Sequence, residues 1–178
     1  MPMKNSKGFT LIELIVAVGL FALVMMLASG AYLIVLCVNR QAQSISTGIN
    51  NLSFALESMT RTIRTGTGYN CGGTGDCPNG ASSFSLLDDS NGGVPIPVTY
   101  SLVGSSIQVN TGGAISTLTD PSVTITSLTF YAVGTSPAPA DYQQPRVTIV
   151  VSGTVSAGPG KTESFTVETG ATMRGTDI

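Results

Sequence analysis

Residues 8–38 read GFTLIELIVAVGLFALVMMLASGAYLIVLCV, an apolar stretch in which Glu13 is the single charged residue. From Leu14 to Val38 no side chain is charged. A helix over that run would span roughly 37 Å at 1.5 Å per residue, more than the hydrocarbon core of a bilayer requires. Lys4 and Lys7 precede the run, and basic residues there favour a cytoplasmic N-terminus. The stretch therefore predicts a membrane-spanning helix that carries one carboxylate.

Glu13 separates this stretch from more ordinary apolar segments. A cleaved secretory signal would have an apolar core about half as long, followed by an A-x-A site. A plain signal anchor accounts for the lysines but not for the carboxylate, and a buried core helix accounts for neither. An ionisable side chain within a bilayer costs a few kcal/mol and usually marks a functional contact. Cleavage after Gly8 would give Phe9 a free α-amino group, with which Glu13 of a neighbouring subunit could pair.

The block GFTLIEL, from Gly8 to Leu14, closely resembles the prepilin signature of type IV pilins and type II secretion pseudopilins. The shared features are a short basic leader, a glycine before the cut, a phenylalanine after it and a glutamate at this offset. The resemblance implies cleavage between Gly8 and Phe9 by the prepilin peptidase, N-methylation of Phe9, and filament assembly that depends on Glu13. One departure is Gly30, which stands where many major pilins have proline.

Beyond Val38 the apolar residues follow the spacing of an amphipathic helix. They recur three and four residues apart at Ile45, Ile49, Leu52, Leu56, Met59 and Ile63. We predict one continuous helix from about Phe9 to about Thr65, whose second half packs on the sheet of its own chain. A coiled-coil seam is the alternative interpretation of the same stripe. The glycines that follow Thr65 end the helix.

The two cysteines of the Gly-rich segment NCGGTGDCPNG, Cys71 and Cys77, could approach each other closely enough for a disulfide. Such a bridge would contribute roughly 2 kcal/mol on the chain-entropy model, and it implies an oxidising compartment. The alternative, half of a zinc knuckle, lacks the other two ligands. Cys37 lies within the apolar run and is more simply a small hydrophobic residue.

Short runs of β-forming residues, separated by turn residues, follow the cysteine segment. The predicted strands are 83–87, 96–103, 107–110, 114–118, 123–133, 147–155 and 165–173. We therefore predict an α+β, pilin-like fold in which a long N-terminal helix packs on a mainly antiparallel β-sheet. The predicted parts are a leader peptide (1–8), a transmembrane and filament-core helix (9–38), an amphipathic helix (39–65) and a β-rich domain outside the cytoplasm (66–178).

The composition argues against catalysis. The chain has no histidine, which removes the commonest general base and metal ligand. Its net charge of −2 does not favour binding to the phosphates of a nucleic acid. Asp88, Asp89 and Asn91 could bind calcium, but their spacing favours an ordinary turn. Glu163 and Glu168 would face opposite sides of one strand. We expect a protein that is not an enzyme and needs no metal or other cofactor.

The later segments narrow the resemblance. Residues 56–64 are similar to the helix end of J-type minor pseudopilins and W-type minor pilins, and the strands at 123–131 and 146–151 resemble theirs. This implies a minor subunit of a type IV pilus or a type II secretion pseudopilus. Its partners would be the prepilin peptidase, other major and minor subunits, the inner-membrane assembly platform and, before assembly, membrane lipid.

Two other functions stay open at this point. One is a pilus-tip binding module, an adhesin or a DNA-capturing subunit, with the cysteine loop and the Pro-rich loop 134–145 exposed. The other is a single-span membrane protein that never polymerises. In the leading interpretation the chain is a single-pass protein of the inner or cytoplasmic membrane, with its C-terminal domain outside the cytoplasm. It then enters the pilus or pseudopilus.

Overall fold

The computed structural model describes residues 8–73, 75–90, 92, 94–136, 143–158 and 160–174. Residues 1–7 of the predicted leader, Asn91, and residues 137–142 of the Pro-rich loop lie outside these described residues. Within them the chain forms one helix, α1 (Leu11–Thr65), followed by nine strands. The strands are β1 (Thr67–Asn70), β2 (Cys77–Ala81), β3 (Ser83–Asp88), β4 (Ile96–Val103), β5 (Ser106–Thr111), β6 (Ala114–Thr117), β7 (Val123–Val133), β8 (Arg146–Ser156) and β9 (Thr162–Thr172).

The predicted fold class, a long N-terminal helix with antiparallel β-structure, is confirmed. The helix begins at Leu11, two residues later than predicted, because Thr10 occupies the position just before it. There the Thr10 hydroxyl accepts a hydrogen bond from the backbone N–H of Glu13 at 3.4 Å, as an N-cap residue does. The chain divides into two compact units, residues 1–41 and residues 42–178.

The strands form two sheets, whereas the sequence predicts a single one. The five-stranded sheet has the order β1-β3-β4-β5-β6, and the four-stranded sheet has the order β2-β7-β8-β9. All neighbouring strands pair antiparallel. The strands β3 to β6 and β7 to β9 are meanders of consecutive hairpins, and the chain changes sheet between β1 and β2, between β2 and β3, and between β6 and β7. The alternation of apolar and polar residues identifies a strand but does not indicate which sheet the strand joins. The sequence therefore predicts the strands without showing that they divide into two sheets.

The second unit has one hydrophobic core to which the helix and both sheets contribute. Leu52, Leu56, Met59 and Ile63 of the predicted helical stripe are buried, as predicted. Phe84 of the five-stranded sheet stacks on Phe130 of the four-stranded sheet at a centroid distance of 5.4 Å. The two sheets therefore cover the same core.

Two contacts fix the helix in this unit. Gly48 lies so close to β8 that a Cβ atom there would be 2.7 Å from Cγ1 of Val155. At the helix end, the buried hydroxyl of Tyr69 donates a hydrogen bond to the carbonyl of Ile63. Burial raises the pKa of Tyr69 to about 12, which keeps this hydroxyl protonated as a donor. The helix is thus packed tightly at one point and hydrogen-bonded at another.

Candidate functional site

The predicted processing site lies just before the helix. Gly8, Phe9 and Thr10 precede Leu11, and all of them are exposed, with the Phe9 side chain 84% accessible. No atom lies within 4 Å of the place where a Cβ on Gly8 would be. The peptide bond between Gly8 and Phe9 is therefore accessible in the uncut chain.

Glu13 has a local structural role that sequence reasoning missed. It lies in the first turn of α1, and Thr10-x-x-Glu13 has the spacing of a capping box, of which the structure shows the bond from the Glu13 N–H to the Thr10 hydroxyl. An acidic side chain there also favours the helix macrodipole. The pattern is visible in the sequence and could have been found. No cation lies within ion-pair distance of Glu13 in the described part of the uncut chain.

The first part of the helix exposes its apolar side chains on every face. Between Leu11 and Val38, Leu36 is half-buried and the rest are exposed. Among the described residues, α1 is the one helix long and apolar enough to cross a membrane, judged by length and composition. An exposed apolar surface of this size indicates contact with lipid or with other protein chains. Cys37 lies on it as an exposed free thiol.

The cysteine loop joins the edges of the two sheets. Cys71 follows β1 of the five-stranded sheet and Cys77 begins β2 of the four-stranded sheet, and the two form a disulfide with a Cα–Cα distance of 6.3 Å. This agrees with the pairing expected from the sequence. A covalent link between two edge strands limits how far they can separate at this end of the core.

A second contact anchors the same loop, and the sequence carries no signal for it. The Asp76 carboxylate accepts hydrogen bonds from the backbone N–H of Thr135 at 2.9 Å and from its hydroxyl at 3.1 Å. The bond from the Thr135 N–H holds the pKa of Asp76 below its ordinary value of 3.8. The partners are 59 residues apart, so no local pattern predicts the pair. The contact ties the disulfide loop to the start of the Pro-rich loop.

Among the described candidate ligands, Asp88 lies in a turn, and Glu163 and Glu168 lie on an edge strand. Asp88 accepts a hydrogen bond from the N–H of Ser90 at 3.0 Å, which is an Asx turn. Glu163 and Glu168 are exposed on β9, the edge of the four-stranded sheet, and their odd spacing places them on opposite faces. The residues that the structure describes contain no cluster of three or more histidine, cysteine, aspartate or glutamate side chains that could hold a metal.

Comparison with known proteins identifies the N-terminal segment. Residues 3–29 match a family model described as the prokaryotic N-terminal methylation motif. No curated protein and no solved structure matches the chain. The matched residues include Gly8, Phe9 and Glu13, so the chain carries the N-terminal motif of type IV prepilin-like proteins. That motif points to a structural subunit, and it implies processing by a prepilin peptidase and assembly with other pilin subunits.

Proposed function

We propose that the chain is a subunit of a type IV pilus or a type II secretion pseudopilus, cleaved after Gly8 and polymerised through its N-terminal helix. The observation that carries this proposal is the methylation motif at residues 3–29, placed on a helix whose apolar side chains are exposed on every face. A helix of this kind needs lipid before assembly and other helices afterwards. Its C-terminal domain lies outside the cytoplasm, where the disulfide forms.

The proposed mechanism uses the new N-terminus. Cleavage replaces the Gly8–Phe9 peptide bond by a free amine on Phe9, and N-methylation of that amine keeps its positive charge. In the filament the amine of one subunit pairs with Glu13 of a neighbour, so that neither charge is left alone among apolar side chains. The pair sets the axial register, and the apolar faces supply most of the attraction.

Within this class, we favour a minor subunit close to the J-type pseudopilins and W-type minor pilins. The similarity of residues 56–64, 123–131 and 146–151 to those subunits supports the assignment. Such a subunit would act near the tip, where it helps to start assembly together with other minor subunits on the inner-membrane platform.

The proposal is tested by the N-terminus of the chain after expression with and without the cognate prepilin peptidase, measured by mass spectrometry. We expect a chain that begins with N-methylated Phe9 when the peptidase is active and an intact leader when it is not. The matched variant is Gly8→Val. Because the position of its side chain is open, a loss of cleavage in this variant reports recognition by the peptidase and not misfolding.

Two outcomes would contradict the proposal. A chain that keeps residues 1–8 beside an active peptidase would indicate a single-span membrane protein that is not a prepilin. A chain that is cut but never enters filaments would leave the motif as a processing signal alone.

A further inference from the structure

The C-terminal end of α1 and the segment after β9 enclose an open cleft of about 260 Å³. Most of its lining comes from the last turns of the helix, and one residue comes from the far end of the chain. The lining residues are Glu57, Thr60, Arg61, Arg64, Thr65 and Arg174.

This cleft concentrates positive charge in an acidic protein. The whole chain has eight lysines and arginines and a net charge of −2, yet three arginines line this one cleft. The opposing carboxylate is Glu57, whose Oε1 lies 3.7 Å from Nη2 of Arg61. In the part of the chain that the structure describes, no carboxylate is within ion-pair distance of Arg64 or Arg174. Two guanidinium groups of the cleft are therefore not paired with any carboxylate of the described residues.

Helix stability explains only part of this arrangement. The pair Glu57–Arg61 is an ordinary surface pair four residues apart, and Arg64 in the last turn favours the negative end of the helix dipole. Neither effect requires Arg174. The backbone N–H of Arg174 donates a hydrogen bond to the carbonyl of Arg64 at 2.9 Å, which brings the third arginine to the cleft.

An exposed aromatic ring extends the cleft along the helix. Phe54 is 72% exposed and lines an adjoining cleft of about 170 Å³ together with Glu57, Ser58 and Arg61. Phe54, Arg61 and Arg64 lie seven and three residues apart, on the side of α1 away from its buried stripe. With Arg174 they form what we call the Arg–Phe face. Because the other side of the helix is packed in the core, the backbone that carries Phe54, Arg61 and Arg64 is held in place before any partner arrives.

We propose that the Arg–Phe face is a docking site for an acidic peptide segment of a partner protein. Guanidinium groups bind carboxylates in a bidentate manner, and arginine and aromatic side chains are enriched at the centres of protein interfaces. A free inorganic anion would use the arginines but would have no contact for Phe54. The inference goes beyond the proposed function, because it requires neither cleavage nor polymerisation.

The test uses the full-length chain in non-ionic detergent and a fluorescein-labelled peptide, EDLEEFDE, followed by fluorescence anisotropy. We expect saturable binding that weakens as salt rises from about 50 to about 300 mM. The uncharged analogue QNLQQFNQ should not bind. The double variant Arg64→Gln/Arg174→Gln should weaken binding about ten-fold or more, because it removes both unpaired charges. Phe54→Ala should weaken it about three-fold or more.

The matched control is Lys161→Gln, which removes one exposed positive charge from the turn before β9. Lys161→Gln should change the affinity for the peptide by less than about two-fold. Arg64→Gln and Arg174→Gln also remove one charge each, but each should weaken binding more than Lys161→Gln does. The variant Arg64→Lys/Arg174→Lys keeps the charges but loses the bidentate geometry, and it should fall between wild type and the glutamine variant. An unchanged near-UV spectrum shows that each variant is folded.

Several results would overturn the inference. Equal losses for Lys161→Gln and Arg64→Gln would indicate only general charge attraction. Displacement of the peptide by inorganic phosphate, but not by sodium chloride of the same ionic strength, would indicate a site for small anions. Self-association that the arginine substitutions abolish, without peptide binding, would make the face a contact between copies of this chain.

Discussion

The two halves of α1 have opposite surroundings although they belong to one helix. From Leu14 to Val38 nearly every apolar side chain is exposed, whereas Leu52, Leu56, Met59 and Ile63 in the second half are buried. The first half is apolar all round, and the second is apolar along one stripe. An all-round apolar helix needs a partner on every side, which a single sheet cannot provide, while a stripe needs only one. The pattern of apolar residues thus indicates which half finds its partner within the chain.

The largest expected effect separates the two halves by function. Glu13→Val should leave processing after Gly8 intact but lower incorporation into filaments by about ten-fold or more, because the new amine of a neighbour then lacks its counter-ion among apolar side chains. Quantitative immunoblotting of sheared filaments from cells with the cognate machinery measures this.

The control for that variant lies in the second half of the same helix. Glu57 is an exposed carboxylate whose pair with Arg61 is solvated, and Glu57→Val should be incorporated nearly as well as wild type. Equal incorporation of the Glu13 and Glu57 variants would remove the charge-pairing mechanism while leaving the processing test unaffected.

A pair of methionines compares the stabilising role of the two halves. Met59 is completely buried, and Met59→Ala should lower the free energy of unfolding of the second unit by about 2–5 kcal/mol through lost contacts and a residual cavity. Met26 is 77% exposed, so Met26→Ala should change this free energy of unfolding by less than about 0.5 kcal/mol. Urea unfolding in non-ionic detergent, followed by the near-UV signal of the buried tyrosines, measures both. Similar values for the two variants would contradict the comparison.

A pair of glycines gives a second comparison between the two halves of α1. A Cβ at position 48 would be 2.7 Å from Val155 Cγ1, and Val155 is itself buried, so Gly48→Ala should cost about 1–2 kcal/mol after its gain in helix propensity. No atom lies within 4 Å of a Cβ on Gly30, so Gly30→Ala should not destabilise the second unit. A stabilised Gly48→Ala, in the same urea experiment, would show that the helix can move away from β8.

The sequence predicts the bounds of the helix and of individual strands well where one strong local pattern dominates. The bounds of β4 and β7 agree with the prediction, and the helix ends at Thr65 as predicted. Strands β1 and β2 were missed because TGYN and CPNGA are composed largely of turn residues, and both strands pair with an irregular register at a sheet edge. Their conformation is imposed by the neighbouring strand, and that context outweighs local preference.

The candidate site shows the same division. Gly8, Phe9 and Glu13 form a contiguous pattern, and the methylation motif covers them. The contacts between Asp76 and Thr135 and between Arg64 and Arg174 join residues far apart in the chain, and only the fold brings them together. Helical spacing places Phe54, Arg61 and Arg64 on one side of α1, but it does not indicate that Arg174 lies beside them.

The smallest effect concerns the Asp76–Thr135 contact, which tests whether the stability of the second unit extends to its loops. The pKa of Asp76 is depressed in the folded chain, so its contribution is present above the ordinary value of 3.8 and is lost as the pH falls through the lower folded value. Because this carboxylate is mostly exposed, we expect it to contribute no more than about 0.5 kcal/mol to the free energy of unfolding.

A measurement of global unfolding is therefore too insensitive for this contact, and amide hydrogen exchange at Thr135 is a better one. Asp76→Asn should speed that exchange at neutral pH, since a neutral amide accepts the bond more weakly. Asp120→Asn changes a similarly exposed aspartate whose bond to the N–H of Ser122 is local, and it should leave Thr135 unaffected. If Thr135 exchanges equally fast in wild type and Asp76→Asn, the two loops are not joined in solution.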